Sequence, residues 1–285
     1  MNSLIAIDLD GTLLADDGTI SARNAQAIRK AQEAGCVVSI CSGRSLHDTK
    51  AILEEAKLEC PLITGNGAIT FNDGQQIQTL SMEPALLEEL LPQLESENYY
   101  YELYTNEGVY LFERGKGMLE REIKEKAGSD KSFSTEWATR EMNLQFEQKG
   151  TRQITDYHDF DLASLGIYKI FVFSFHREKL DALEEELSSR EDLSLTTSGK
   201  TKLEIAHKDT SKGNALAAFA EVVGVPMKNT VAIGDNLNDL SMFAVAGMGI
   251  AMGNAEEEVK EASTHITKRY NEDGVAYAIE EFVLN

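Results

Sequence analysis

Leu4-Ile5-Ala6-Ile7 is an apolar run that reads as a buried strand, and it stops at Asp8-Leu9-Asp10-Gly11. The same design recurs along the chain. Val37-Val38-Ser39-Ile40-Cys41 runs into Ser42-Gly43-Arg44, and Leu62-Ile63-Thr64 into Gly65-Asn66-Gly67. Thr230-Val231-Ala232-Ile233 runs into Gly234-Asp235-Asn236-Leu237-Asn238-Asp239. Helical segments stand between these runs. Ser21 can cap a helix that reaches Ala34 and stops at Gly35, a second covers residues 46–57, and Ser211 can cap a third that ends before Gly224 and Pro226. Strands alternating with helices pair in parallel through right-handed crossovers. Such sheets take ligands at the carboxyl ends of their strands, where all four polar clusters fall.

Between residues 82 and 195 the texture changes. Glu-rich amphipathic helices (84–97, 116–126, 177–189) alternate with Tyr- and Phe-rich strands (99–104, 108–113, 167–174), and none of these strands ends in a charged cluster. The expected fold class is α/β: a Rossmann-like parallel-sheet core, residues 1–81 plus 196–285, with an inserted α+β cap domain, residues 82–195, large enough to fold as its own unit. Asn72-Asp73-Gly74 marks a hairpin, Gly249–Met252 a short strand, and residues 273–283 a closing helix. Tyr99-Tyr100-Tyr101 and Trp137 read as core of the insert.

Composition narrows the partners. A net charge of −21 opposes binding to nucleic acid or anionic membranes, so a small anionic substrate needs a local positive site. Three scattered cysteines suit a reducing compartment, and five scattered histidines give no zinc spacing. No apolar stretch approaches the ~18 residues of a membrane span, and no signal-peptide pattern opens the chain. The expected location is cytoplasmic. Oligomeric state is not readable from the sequence.

Asp8 and Asp10 share one face of a continuing strand, and like charges so placed are costly unless a cation or a reaction needs them. The ordered set Asp8-Leu9-Asp10-Gly11-Thr12, Ser42-Gly43-Arg44, Ser211-Lys212-Gly213 and Gly234-Asp235 with Asn238-Asp239 resembles the haloacid dehalogenase-like phosphohydrolase superfamily. The position of the insert, and the tail Gly249–Ala255 with Asn271–Val275, resemble its Cof-type branch. The resemblance implies a Mg²⁺-dependent phosphatase of small phosphorylated metabolites such as sugar phosphates. It gives Asp8 the role of nucleophile and Asp10 that of acid and base. The metal falls to Asp8, Asp235 and the Asp10 carbonyl, oxygen donors that a hard cation prefers. Leu9, Ser42, Gly43, Lys212 and Asn238 then line the phosphate, and Asp239 supports metal and lysine. Lys212 sits just inside a helix N-terminus, where the dipole disfavours a cation and an anionic neighbour offsets it.

Arg44 reads equally as a substrate contact or as the partner of a nearby acid, and Asn66 as a substrate contact or a turn residue. Thr105–Gly108 and Tyr168-Lys169 are candidate substrate loops of the cap. Gly199-Lys200-Thr201 is no P-loop, because position 194 is Ser. Two other functions compete. A phosphomutase would share the aspartyl-phosphate, and a catalytically idle sensor would keep the phosphate site.

Overall fold

The computed structural model describes residues 3–197 and 199–285. In chain order the first segment holds β1 (Leu4–Ile7), α1 (Ala22–Glu33), β2 (Val37–Cys41), α2 (Leu46–Glu55), β3 (Leu62–Thr64), β4 (Ile69–Asn72) and β5 (Gln75–Thr79). Next come α3 (Pro84–Ser96), β6 (Tyr100–Thr105), β7 (Gly108–Phe112), α4 (Gly115–Ser129), α5 (Thr135–Phe146), β8 (Thr151–Ile154) and α6 (Leu162–Leu165). They are followed by β9 (Lys169–Phe173), α7 (Arg177–Leu187), β10 (Leu193–Thr196) and β11 (Lys202–His207). The last segment holds α8 (Lys212–Val222), β12 (Thr230–Gly234), α9 (Leu240–Val245), β13 (Met248–Ala251), α10 (Glu257–Glu261), β14 (His265–Ile266) and α11 (Gly274–Ala278).

The chain divides into two units, Met1–Thr79 with Thr210–Asn285, and Leu80–Asp209. The second boundary falls later than the expected 195/196. Lys202–His207 is a strand of the inserted sheet, paired on one side with β9 and on the other with β10.

In the discontinuous unit the sheet order is β14-β13-β12-β1-β2-β3-β4-β5. The strands from β14 to β3 are parallel, and β4 and β5 form an antiparallel hairpin at the edge. All four residues of β1 are completely buried, as a strand covered on both faces requires. Ser21 and Ser211 do cap their helices, accepting from the N–H groups of Asn24 and Asn214 at 3.1 and 3.0 Å. β1 lies between β2 and β12, with Ile7 opposite both Ile40 and Ile233. That register places the chain after Asp8 beside Ser42 and Asp235, although they come from distant segments.

The inserted unit is a six-stranded sheet, β10-β11-β9-β6-β7-β8. Tyr101, Leu103, Ile170, Val172, Leu203 and Ile205 share one apolar core with leucines of α3 and α7. The alternate residues, Tyr100, Glu102, Tyr104, Lys169, Phe171 and Glu204, are buried too. Trp137 departs from its expected core role. It is 42% exposed, with its ring edge-on to Phe133 and Phe175. No helix among the described residues is long and apolar enough to cross a membrane.

Candidate active site

The site forms where β1, β2 and β12 end. Asp8 continues the β1 ladder by donating its N–H to the Ile233 carbonyl at 3.0 Å, which fixes its backbone before its side chain is considered. The chain then turns through residues 9–13, with Gly11 at φ +78°. A β-carbon at Gly11 would lie 2.3 Å from Asp235 Oδ2, so glycine is required by both its conformation and its neighbour. Gly234 serves a similar close approach: a β-carbon there would stand 2.4 Å from the Asp239 carboxylate.

Lys212 enters from the first turn of α8, and its side chain is fully buried. Its Nζ donates to Asp8 Oδ1 and to Asp239 Oδ1, both at 2.7 Å. The other oxygen of Asp239 accepts the N–H groups of Asp235 and Asn236 at 2.9 and 3.0 Å. Asp239 therefore ties the β12 loop to Lys212. Burial works against charge on Lys212, but Asp239 and Asp8 outweigh it and hold its pKa above the usual range.

Asp8, Asp235 and Asp239 each offer an oxygen within 4.8 Å of the others. Burial pushes the Asp8 carboxyl well above the usual range; Lys212 pulls it back, while Asp239 and Asp235 push it further. Burial and then Asp239 lift Asp235 to about 7, against a hydrogen bond from Thr12 and the charge of Lys212. Three carboxylates thus crowd one ammonium in a poorly solvated place. That excess of negative charge fits a hard divalent cation with oxygen ligands. Asp239 takes three donors on its two oxygens, whereas Asp8 takes Lys212 at Oδ1 and Asp235 one neutral donor at each oxygen, so Asp8 and Asp235 are the residues that could hold it.

Asp10 points elsewhere. Its side chain is 58% exposed and is gripped at both oxygens by Arg44, Nε at 2.8 Å and Nη2 at 2.6 Å. Arg44 also bonds the nearly buried Asp48 at 2.7 Å through Nη1. Arg44 is thus paired with two acids. Ser42 is buried, and its hydroxyl accepts the Arg44 N–H at 3.2 Å. Asn66 is also buried, at φ +57°, and its side-chain oxygen accepts from Asn238 Nδ2 at 3.1 Å. Gly43 lies against that same amide. Leu9 places its side chain in the hydrophobic core, which leaves only its backbone to face a ligand.

Lys169 is likewise not a free substrate contact. It is buried and bonded to Glu204 at 2.7 Å.

Sequence reasoning passed over three participants: Thr12, Asp48 and Asn254. Thr12 donates to Asp235 Oδ1 at 2.9 Å, and Asn254 donates to Asp235 Oδ2 at 3.3 Å. Asp48 lies in the first turn of α2 and Arg44 just before its N-cap Ser45, so no helical spacing links the two. Asn254 follows a parallel strand at its carboxyl end, the rule that exposed the other clusters.

Comparison with known proteins gives the family. The description of haloacid dehalogenase-like hydrolases matches residues 5–279. The chain belongs to that family. It is 38% identical over 280 residues to 5-amino-6-(5-phospho-D-ribitylamino)uracil phosphatase YwtE of Bacillus subtilis, covering 98% of this chain and 97% of that protein. It is 27% identical to the pyridoxal phosphate phosphatase YbhA of Escherichia coli, with 97% of each covered. A solved haloacid dehalogenase-like hydrolase from B. subtilis superposes with a TM-score of 0.87 at 33% identity, over 99% of this chain and all of that one. The α/β fold and the hydrolase class are thereby established.

Proposed function

We propose that this hydrolase is a Mg²⁺-dependent phosphatase of small phosphate monoesters, working through an aspartyl-phosphate on Asp8. The observation that carries the reading is the contact of Lys212 with Asp8 beside Asp235, at the carboxyl ends of adjacent parallel strands. Asp8 Oδ attacks phosphorus while the bond to the ester oxygen breaks, and a proton from Asp10 goes to the departing alkoxide. Water then attacks the phosphorus of the acyl phosphate, Asp10 takes its proton, and phosphate leaves with Asp8 restored. Lys212 opposes the charge of Asp8 and of the incoming phosphoryl oxygens. The Ser42 hydroxyl, the Gly43 and Leu9 backbone and the Asn238 amide would bind those oxygens. Asp8, Asp235 and the Asp10 carbonyl would hold Mg²⁺, which supplies charge neutralisation at the phosphoryl group. The exposure of the Asp10 carboxylate suits a group that must reach a leaving alcohol.

The test is phosphate release from a panel of monoesters with Mg²⁺, including sugar phosphates, pyridoxal phosphate and 5-amino-6-(5-phospho-D-ribitylamino)uracil. Release abolished by Asp8→Asn is the expected result. No release from any member, or unchanged turnover in Asp8→Asn, overturns the reading. Conversion of a hexose 1-phosphate to its 6-phosphate without free phosphate would assign a mutase instead.

A further inference from the structure

The segment after β13 contains a residue that the mechanism above does not use. Asn254 lies in Met252-Gly253-Asn254-Ala255 and joins three loops at once. Its Nδ2 donates to the Gly11 carbonyl at 2.8 Å and to Asp235 Oδ2 at 3.3 Å. Its Oδ1 accepts the Tyr270 N–H at 3.0 Å. Gly11 belongs to the turn after β1, Asp235 to the loop after β12, and Tyr270 to the segment after β14. The first two contacts span 243 and 19 residues of sequence.

The amide is itself well held. The Gly253 N–H bonds the Lys268 carbonyl at 3.0 Å, and the Ala255 N–H bonds that of Met252 at 2.9 Å. The Tyr270 hydroxyl reaches Asp16 at 2.6 Å. With Oδ1 committed to a backbone N–H, the side-chain rotamer is fixed and Nδ2 must face Gly11 and Asp235. Thr12 Oγ1 holds the opposite oxygen of Asp235 at 2.9 Å. Each oxygen of Asp235 thus receives one neutral donor, and the carboxylate plane is set from both sides.

We propose that Asn254 is a positioning residue for the divalent cation: it orients Asp235 and ties it to the Gly11 turn that carries Asp8 and Asp10. This rests on the reading of Asp8 and Asp235 as metal ligands. Residues that orient a metal ligand are typically worth ten- to a hundredfold in metal affinity.

The test uses the full-length protein and Mg²⁺ alone. Thermal unfolding and isothermal titration give the Mg²⁺ midpoint without substrate, and phosphatase assays give it with substrate. Asn254→Ala should raise the midpoint about tenfold or more in both. Thr267→Val is the control. It deletes the 2.7 Å bond from Thr267 to the Gly274 carbonyl in the same region without touching Asp235, and its midpoint should stay within about twofold of wild type. Should Asn254→Ala fail to fold, Asn254→Ser replaces it, its hydroxyl lying one bond short of the Nδ2 position. An Asn254 variant that folds and keeps the wild-type midpoint, or an equal rise in Thr267→Val, overturns the inference alone. A wild type with no Mg²⁺ response overturns the metal reading and the inference together.

Discussion

The molecule buries two clusters made of the same ingredients, a lysine with several carboxylates. In the discontinuous unit Lys212 meets Asp8 and Asp239; in the inserted unit Lys169 meets Glu204, with Glu102 also buried nearby. The difference is where each stands on its sheet. Glu102, Lys169 and Glu204 lie within β6, β9 and β11, where Phe171 is opposite both glutamates. Lys169 sits 4.0 Å over the Tyr104 ring, and Glu102 accepts from the Tyr100 hydroxyl at 2.7 Å. Every position is fixed by a ladder on each side. In the other cluster Asp8 lies just past β1, Asp239 on the turn after β12 and Lys212 in the first turn of α8, next to the exposed Asp10. Both clusters are buried, but the mid-strand one is enclosed by ladders and organises packing, whereas the strand-end one adjoins a turn that carries an exposed carboxylate.

Asp8→Asn should break this contrast most severely. Turnover falls by more than about 10⁴-fold while circular dichroism stays native, because an amide cannot act as the nucleophile. Next, Lys212→Met and Lys169→Met should each cost about 3–5 kcal/mol, since each strands a buried carboxylate. Added Mg²⁺ should recover part of the loss in Lys212→Met and none in Lys169→Met. Urea melts with and without Mg²⁺ check this, and equal recovery in both would erase the distinction.

A smaller effect concerns pH. Burial raises Glu102 from 4.5 to about 7, against hydrogen bonds from Tyr100 and Gln148 and the charge of Lys169. Between those values the folded state holds a proton that the unfolded state has released. Stability from this group is therefore greatest below about 4.5 and falls as pH rises to about 7, by about 3 kcal/mol in all. Glu102→Gln should flatten that part of the stability–pH curve relative to wild type. An identical slope in the variant would place the titration elsewhere. Least of all, Arg44→Lys should lower kcat by roughly tenfold, because an ammonium cannot grip both Asp10 oxygens and Asp48 together. Phosphate release under saturating substrate measures it.

The sheet of the discontinuous unit was largely legible, because its central strands β1, β2, β3 and β12 are apolar runs that end in distinct polar clusters. Ser21, Ser211 and the Asn72-Asp73-Gly74 hairpin all do what their chemistry suggests. The insert was less legible. Lys202–His207 alternates charged and apolar residues and resembles a solvent-facing edge, yet it is an interior strand whose Glu204 is neutralised by Lys169. Trp137 was misread because hydrophobicity reports a preference for burial and not its fulfilment. In the site, clusters written as contiguous letters were visible. Thr12 and Asn254 stand in such clusters too, but their contact with Asp235 exists only once distant turns close on it.

β1 is central in its sheet, but its neighbour β12 lies more than two hundred residues downstream; Lys212 and Asp8 are separated by 204 positions. A nascent chain therefore displays one bare edge of its first strand throughout synthesis of the insert. The inserted unit has its own sheet and core and can mature meanwhile. The discontinuous unit must wait, and its closure is a late, high-contact-order event. A fragment that stops before residue 212 therefore carries Asp8 without the lysine that holds it.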